Sequence, residues 1–326
     1  MSKISLFEQK INQEIDSFCK ELPANPQQFY DPIKYFLSHG GKHARPMMAL
    51  LGCDLFGGET EKAIAPAIGT ELFHNFTLIH DDLMDNAPLR RNYPTVHEKW
   101  DRNISILSGD ALLIKAYQLL SKTNSENLHQ VLTVFNATAI QVCEGQQLDM
   151  NYEKAHKISI VQYLKMIELK TAVLLAASFK IGALIGGARE EDAKRLYDFG
   201  KNLGIAFQLQ DDILDVYGDE KKFGKQKGGD IISNKKTFLL VKAMEVANRY
   251  NAEELSNWIF APKFDPQQKV EAVTAIYDFL NVRTIAEKET KKYYEKALSC
   301  LQEIPVNETK KQELIDYTNS LIYRES

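Results

Sequence analysis

The sequence predicts an all-α protein, and three observations predict it. Apolar residues recur at the three- and four-residue spacing of a helix through most of the chain. Runs of alternating β-branched residues between turn signals are scarce. Glycine and proline mark the breaks between periodic segments. A first helix over about 4–21 ends before Pro23 and Pro26, and a second covers about 28–39. Gly40-Gly41 precede a helix over about 43–56, which Gly57-Gly58 terminate. A long helix over about 60–85 follows, then segments over about 94–101, 104–122 and 126–149. The most apolar stretch lies in a helix over about 158–187. It reaches membrane-spanning length, but Ser178 and Lys180 in its middle suit a buried helix of a protein outside the membrane. After a helix over about 190–217, Gly224, Gly228 and Gly229 open a long loop. Helices over about 235–249, 252–261, 266–303 and 308–323 complete the pattern. No internal repeat, linker or composition shift interrupts it, so residues 1–326 are expected to form a single domain.

The charge excludes one function class. Forty Lys and Arg face 44 Asp and Glu, a net charge of −4, so the chain is no generic electrostatic binder of nucleic acid. With 44% hydrophobic and 26% charged residues it is globular and not disordered. Cys19, Cys53, Cys143 and Cys300 lie far apart, which argues against a zinc site or disulfide scaffold and fits a reducing compartment. Lys3, Glu8, Lys10, Glu14 and Asp16 interrupt the apolar stretch a signal peptide needs, and a cytoplasmic location is expected.

The chemistry concentrates in two acidic motifs. His80-Asp81-Asp82-Leu83-Met84-Asp85 stands at the C-terminal end of an apolar helical segment, with Asp81 and Asp85 four apart on one face. Like charges at that spacing cost roughly 0.2–0.5 kcal/mol even on an exposed helix. The negative end of the helix dipole adds to the repulsion. Gln208-Leu209-Gln210-Asp211-Asp212-Ile213-Leu214-Asp215 repeats the D-D-x-x-D spacing in another apolar helix. One copy is ordinary on a solvated face. Two, each in a largely apolar helix, call for cations. Hard oxygen donors without His or Cys suit Mg²⁺, whose shell substrate phosphates usually complete.

Basic residues follow both motifs: Arg90-Arg91 the first, and Lys221, Lys222, Lys225, Lys227, Lys235 and Lys236 the second. Cations beside metal-binding carboxylates imply an anion between them, of which a diphosphate is the natural case. Surface pairing remains a plain reading of Lys221, Lys222 and Lys227. Gly40-Gly41-Lys42-His43-Ala44-Arg45-Pro46 places Lys42 and Arg45 three apart after a flexible turn, a second anion site without the P-loop pattern. His74 lies two helical turns before Asp81 on the same face and serves either anion site.

Taken in order, these pieces resemble the trans-isoprenyl diphosphate synthases of the polyprenyl synthetase family. The resemblance rests on G-G-K-H-A-R-P at 40–46, H-D-D-L-M-D-N-A-P-L-R-R-N-Y-P-T-V-H at 80–97, S-G-D at 108–110 and E-G-Q-Q-L-D at 144–149. It continues with L-K-T at 169–171, Q-L-Q-D-D-I-L-D at 208–215, F-G-K at 223–225 and K-K-T at 235–237. It implies a helical bundle in which two Asp-rich helices face a central catalytic cavity and hold three Mg²⁺. Asp81, Asp85 and Asp211 would be the principal ligands, with Asp82 and Asp215 joining directly or through the second shell. Arg90, Lys170, Gln208, Lys225 and Lys235 would grip the allylic diphosphate, with Thr171 near the reacting carbon, and Lys236 is the alternative to Lys235. Lys42, Arg45, His74 and Arg91 would hold isopentenyl diphosphate. The allylic substrate would ionise to a carbocation as diphosphate leaves, with no protein nucleophile. A homodimer is also implied. Asn92 stands where the family commonly has Gly, and asparagine tolerates φ > 0, so a tight turn there survives.

In this family, bulk before the first acidic motif forms the floor of the elongation pocket. Phe76 and Phe73 lie five and eight residues before Asp81, and Thr77 stands where many eukaryotic farnesyl diphosphate synthases carry a second aromatic. The short D-D-x-x-D spacing and Thr77 together resemble geranylgeranyl diphosphate synthases, so a twenty-carbon product is expected, with farnesyl diphosphate the alternative. Ordinary core packing is the plain reading of both phenylalanines. A terpene cyclase has no need for the Gly40–Pro46 anion site. A non-catalytic subunit would typically lack acidic residues that are present here, and a helical scaffold would bind no diphosphate.

Overall fold

The computed structural model describes residues 2–218 and 228–322. Its contacts divide the chain into two compact units: residues 1–139, 174–198 and 301–317, and residues 140–173, 199–300 and 318–326.

In the first unit, Ser2 caps α1 (Lys3–Glu21) by accepting from the Ser5 N–H, and α2 (Gln27–Ser38) follows the prolines that end it. Next come α3 (Ala44–Leu55) and α4 (Thr60–Met84). Helix α4 buries Ile68, Thr70, Glu71, Leu72 and Phe73 in succession, so it is apolar on more than one face and runs through the core. Its acidic motif is thereby carried on a rigid element. A two-stranded hairpin, β1 (Leu89–Arg90) and β2 (Tyr93–Pro94), precedes a short α5 (Val96–Lys99) and then α6 (Arg102–Leu120), which Asp101 caps. The segment expected as one helix over 94–101 is therefore strand and helix in turn. Arg91 and Asn92, at φ 52° and 67°, supply the two positive dihedrals that a two-residue hairpin turn requires. Asn92 fills the position as expected of it.

Helices α7 (Ser125–Glu153) and α10 (Glu190–Tyr217) contribute residues to both units. Between them the expected 158–187 helix is three pieces: α8 (Ile160–Ile167), a π-helical turn over Glu168–Ala172, and α9 (Val173–Ile185). Residues 172–179 are buried on every side, so the change of phase that such a turn introduces leaves no mark in the apolar pattern. Helix α9 packs in the first unit against α3 so closely that a side chain at Gly182 would strike the backbone of Ala49, and one at Gly52 the Phe179 carbonyl. Lys180 reaches Glu190 at 2.6 Å. Among the described residues no helix is long and apolar enough to cross a membrane.

In the second unit, α11 (Gly229–Ile232) and α12 (Phe238–Val246) are followed by α13 (Arg249–Ile259), α14 (Pro266–Phe279), α15 (Val282–Gln302) and α16 (Glu308–Ile322), the last lying mostly in the first unit. The expected 266–303 helix breaks at Asn281, whose φ of 54° is the left-handed geometry that stops a helix. Tyr163, Met166, Leu209, Ile213, Phe238, Leu239, Val273 and Tyr277 form the core there.

Candidate active site

In the first unit, the acidic motif closes α4, and its three aspartates do not share an environment. Asp82, 2% exposed, takes a bidentate grip from Arg90, whose Nε lies 2.8 and 2.7 Å from the two carboxylate oxygens. Arg90 Nη2 also lies 2.7 Å from Asp82 and 3.7 Å from Asp81. Burial opposes the guanidinium charge, but Asp82, Asp81 and Asp85 more than offset it and raise the Arg90 pKa. Asp81 and Asp85 are only partly buried and lie about 40° apart around the helix, with Asp82 about 100° from the first and about 60° from the second.

The Gly40–Pro46 turn meets the hairpin. Gly40 and His43 adopt left-handed φ values of 65° and 42°, and a side chain on Gly41 would come within 2.8 Å of Arg91 Nη2. Arg45, His74 and Arg91 are electrostatic neighbours, and Lys42 stands exposed on the same turn. Burial, with the push of Arg91 and against the pull of Glu71, brings Arg45 down to about 10. Burial and the charges of Arg45, Arg91, Arg90 and His43 hold the His74 pKa well below 6.5. These surroundings favour the neutral imidazole, which is fit to hydrogen-bond an anion rather than to neutralise it.

Phe73, 1% exposed, lies 5.5 Å from Phe76 and 5.0 Å from Phe135, centroid to centroid, and Tyr117 packs edge-on to Phe135. Phe76 in turn touches His80, whose ring fills the space a side chain at Gly109 would need. Thr77 turns its hydroxyl to the His74 carbonyl at 2.7 Å. The sequence indicated Phe73 and Phe76 but not Phe135 and Tyr117, which join only through tertiary contact.

In the second unit, the acidic motif of α10 repeats the division. Asp212, 3% exposed, accepts from the Tyr163 hydroxyl at 2.5 Å, the Phe238 N–H at 2.8 Å and Gln208 Nε2 at 3.2 Å. Burial and the Asp230 charge push its pKa up to about 7 in spite of those donors. Asp211 and Asp215 are partly buried, and Asp215 accepts the Asp230 N–H at 3.1 Å.

Lys170 and Thr171 occupy the π-helical turn. Lys170 Nζ donates to Asp149 at 2.5 Å, and Thr171 Oγ1 donates to Gln208 Oε1 at 3.2 Å. A side chain at Gly145 would collide with the backbone of Leu169 and Lys170. The E-G-Q-Q-L-D and L-K-T motifs thus meet, Gly145 giving room and Asp149 holding the lysine. Lys235 follows Asn234, whose φ is 58° and whose side chain receives Lys269 Nζ at 2.6 Å. Lys269 is 1% exposed and anchors this loop from α14, a role nothing in the sequence indicates. Lys236 lines a separate small cavity with Leu240, Met244, Ile259 and Phe260. Lys225, with Lys221, Lys222 and Lys227, lies outside the described residues.

Asp81 with Asp85, and Asp211 with Asp215, are pairs of hard oxygen donors four residues apart, with no thiol or imidazole among them. That donor set fits Mg²⁺ bound by one or two carboxylates at a time and completed by phosphate oxygens. Among the described residues no three His, Cys, Asp or Glu side chains already converge on one point.

The polyprenyl synthetase family model matches residues 26–277. A geranylgeranyl diphosphate synthase of Sulfolobus acidocaldarius is 36% identical over 304 residues, 91% of each chain. A crystal structure of a geranylgeranyl pyrophosphate synthase superposes with a TM-score of 0.94 at 39% identity, covering 100% of both chains. A polyprenyl synthase from Caulobacter crescentus CB15, complexed with calcium and isoprenyl diphosphate, superposes at 0.89 and 27% identity over 99% of this chain and 97% of its own.

Proposed function

The chain belongs to the polyprenyl synthetase family, and on that footing we propose that it condenses isopentenyl diphosphate with allylic diphosphates to make geranylgeranyl diphosphate. The relatives support this product over farnesyl diphosphate and over a non-catalytic subunit. The observation that carries the reading is the division within each D-D-x-x-D motif, where one aspartate is buried and bound by protein donors while two stand on the less buried face. A motif kept for packing alone has no reason to divide in this way twice.

Asp81, Asp85, Asp211 and Asp215 would hold Mg²⁺, three ions in all, together with substrate diphosphate. Bound Mg²⁺ supplies Lewis-acid stabilisation of the leaving diphosphate. Asp82 would act one step back, by fixing Arg90 on the allylic diphosphate. Lys170, held by Asp149, grips the same group with Lys235, and Lys225 is assigned there by its motif. When the allylic C1–O bond breaks, its electron pair leaves on the diphosphate and positive charge spreads over the allyl group. The Thr171 hydroxyl and the Gln208 amide oxygen are the neutral dipoles that accommodate this charge. Isopentenyl diphosphate, held by Lys42, Arg45, Arg91 and neutral His74, attacks C1 through its double bond, and the product loses a proton to the departed diphosphate. Desolvation protects the cation from water. A cytoplasmic homodimer is part of this proposal, and the exposed Ile106, Leu107 and Ile114 of α6 would offer its interface an apolar face.

The test is to incubate the protein with Mg²⁺, labelled isopentenyl diphosphate and each allylic primer, and to resolve dephosphorylated products by length. A twenty-carbon product is expected, a fifteen-carbon end product contradicts the length, and no incorporation by folded protein contradicts the reaction. Phe76→Ala opens the aromatic cluster that Phe73 and Phe135 form. Products longer than twenty carbons are expected from it, and an unchanged distribution removes Phe76 from the floor.

A further inference from the structure

Glu71 has no part in the chemistry above, yet it is 2% exposed in the middle of α4. A carboxylate that deep is retained only with compensation. Its Oε1 receives the His43 ring Nδ1 at 3.0 Å and Asn75 Nδ2 at 3.3 Å, and the same Asn75 nitrogen is tied to the Glu71 carbonyl at 2.7 Å. Burial works against the carboxylate, but His43, Arg45 and Arg91 more than offset it, so its pKa lies below the usual range. Glu71 Oε2 and Arg45 Nε are both buried without a hydrogen-bond partner, so what joins the two residues is charge rather than a hydrogen bond.

The neighbours explain the need. Arg45 and Arg91 repel one another, and both repel any charge on His74. His43 is the left-handed residue at the start of α3, between Lys42 and Arg45. A bond to its ring fixes the turn that presents both cations. We propose that Glu71 is a positioning residue for isopentenyl diphosphate. It fastens the Gly40–Pro46 turn through His43 and holds Arg45 and Arg91 together against their mutual repulsion. This rests on the assignment of Lys42, Arg45, His74 and Arg91 to that substrate.

The test is Glu71→Gln in the full chain, with KM measured separately for isopentenyl diphosphate and for the allylic primer. The neutral amide keeps the shape and loses the charge. The KM for isopentenyl diphosphate is expected to rise at least about tenfold, with the allylic KM within about twofold. A rise of both by the same factor, or of neither, overturns the proposal, because a purely structural residue would not separate the two substrates. If Glu71→Gln does not fold, His43→Asn replaces it. Asparagine tolerates the positive φ and removes the ring bond, and the same split is expected and the same outcomes overturn it. Arg45→Ala is the control for the underlying assignment. If it raises the isopentenyl diphosphate KM while Glu71→Gln does not, the positioning role fails and the assignment stands. If neither variant raises it, both fail.

Discussion

Asp81→Asn is expected to lower kcat by about three orders of magnitude, roughly 4 kcal/mol of transition-state stabilisation, with little change in thermal stability. Asp81 is partly exposed on the face it shares with Asp85, so the amide fits and the fold has little reason to change. What the variant loses is charge where Mg²⁺ and diphosphate are to be held. Asp82→Asn should behave differently. It breaks the bidentate grip on Arg90 at 2.7–2.8 Å, so part of its cost appears as weaker allylic binding and part as lower stability. Steady-state kinetics and a thermal scan on the two proteins check both statements. A kcat for Asp81→Asn within tenfold of the parent would remove that aspartate from the metal set.

Asp212→Ala is expected to lower the unfolding free energy by at least about 3 kcal/mol, since three donors lose their acceptor and a buried donor left unpaired costs about 1–3 kcal/mol. Those donors are the Tyr163 hydroxyl, the Phe238 N–H at the start of α12, and Gln208. The second loss loosens the end of the Lys235-bearing loop, and the third frees the amide that holds Thr171. A fall in the urea midpoint, with a fall in activity even below that midpoint, is the expected pattern. A midpoint equal to the parent's would mean that the network holds nothing in place.

Much of this was legible in the sequence. The helical period gave the class, and the motif spacing already put Asp81 and Asp85 on one face, whereas the burial of Asp82 against Arg90 emerges only in the structure. The breaks were harder. The π-helical turn at Glu168–Ala172 leads into a stretch buried on every side, which masks its change of phase, and Asn281 stops a helix by a backbone dihedral that asparagine adopts without requiring it. The hairpin was hidden because four strand residues and two turn residues carry no period of their own. Within the site, the motifs nominated residues for substrate contact but not those that hold them in place. Glu71, Asp149, Tyr163 and Lys269 act on partners 28, 21, 49 and 35 positions away, respectively. No local pattern records such pairings. Lys269 lies in the C-terminal third, which carried no motif at all.

The central claim is that positive charge builds on the allylic carbon before the new bond forms, with Thr171 and Gln208 beside it and no protein nucleophile. The most direct measurement compares an allylic primer with the same primer bearing fluorine beside the reacting carbon, at saturating isopentenyl diphosphate and Mg²⁺. Fluorine withdraws electrons and destabilises a cation while leaving the diphosphate contacts unchanged. A steep fall in kcat with a nearly constant primer KM is the expected result. Equal turnover of the two primers would contradict ionisation and, with it, the roles assigned to both acidic helices.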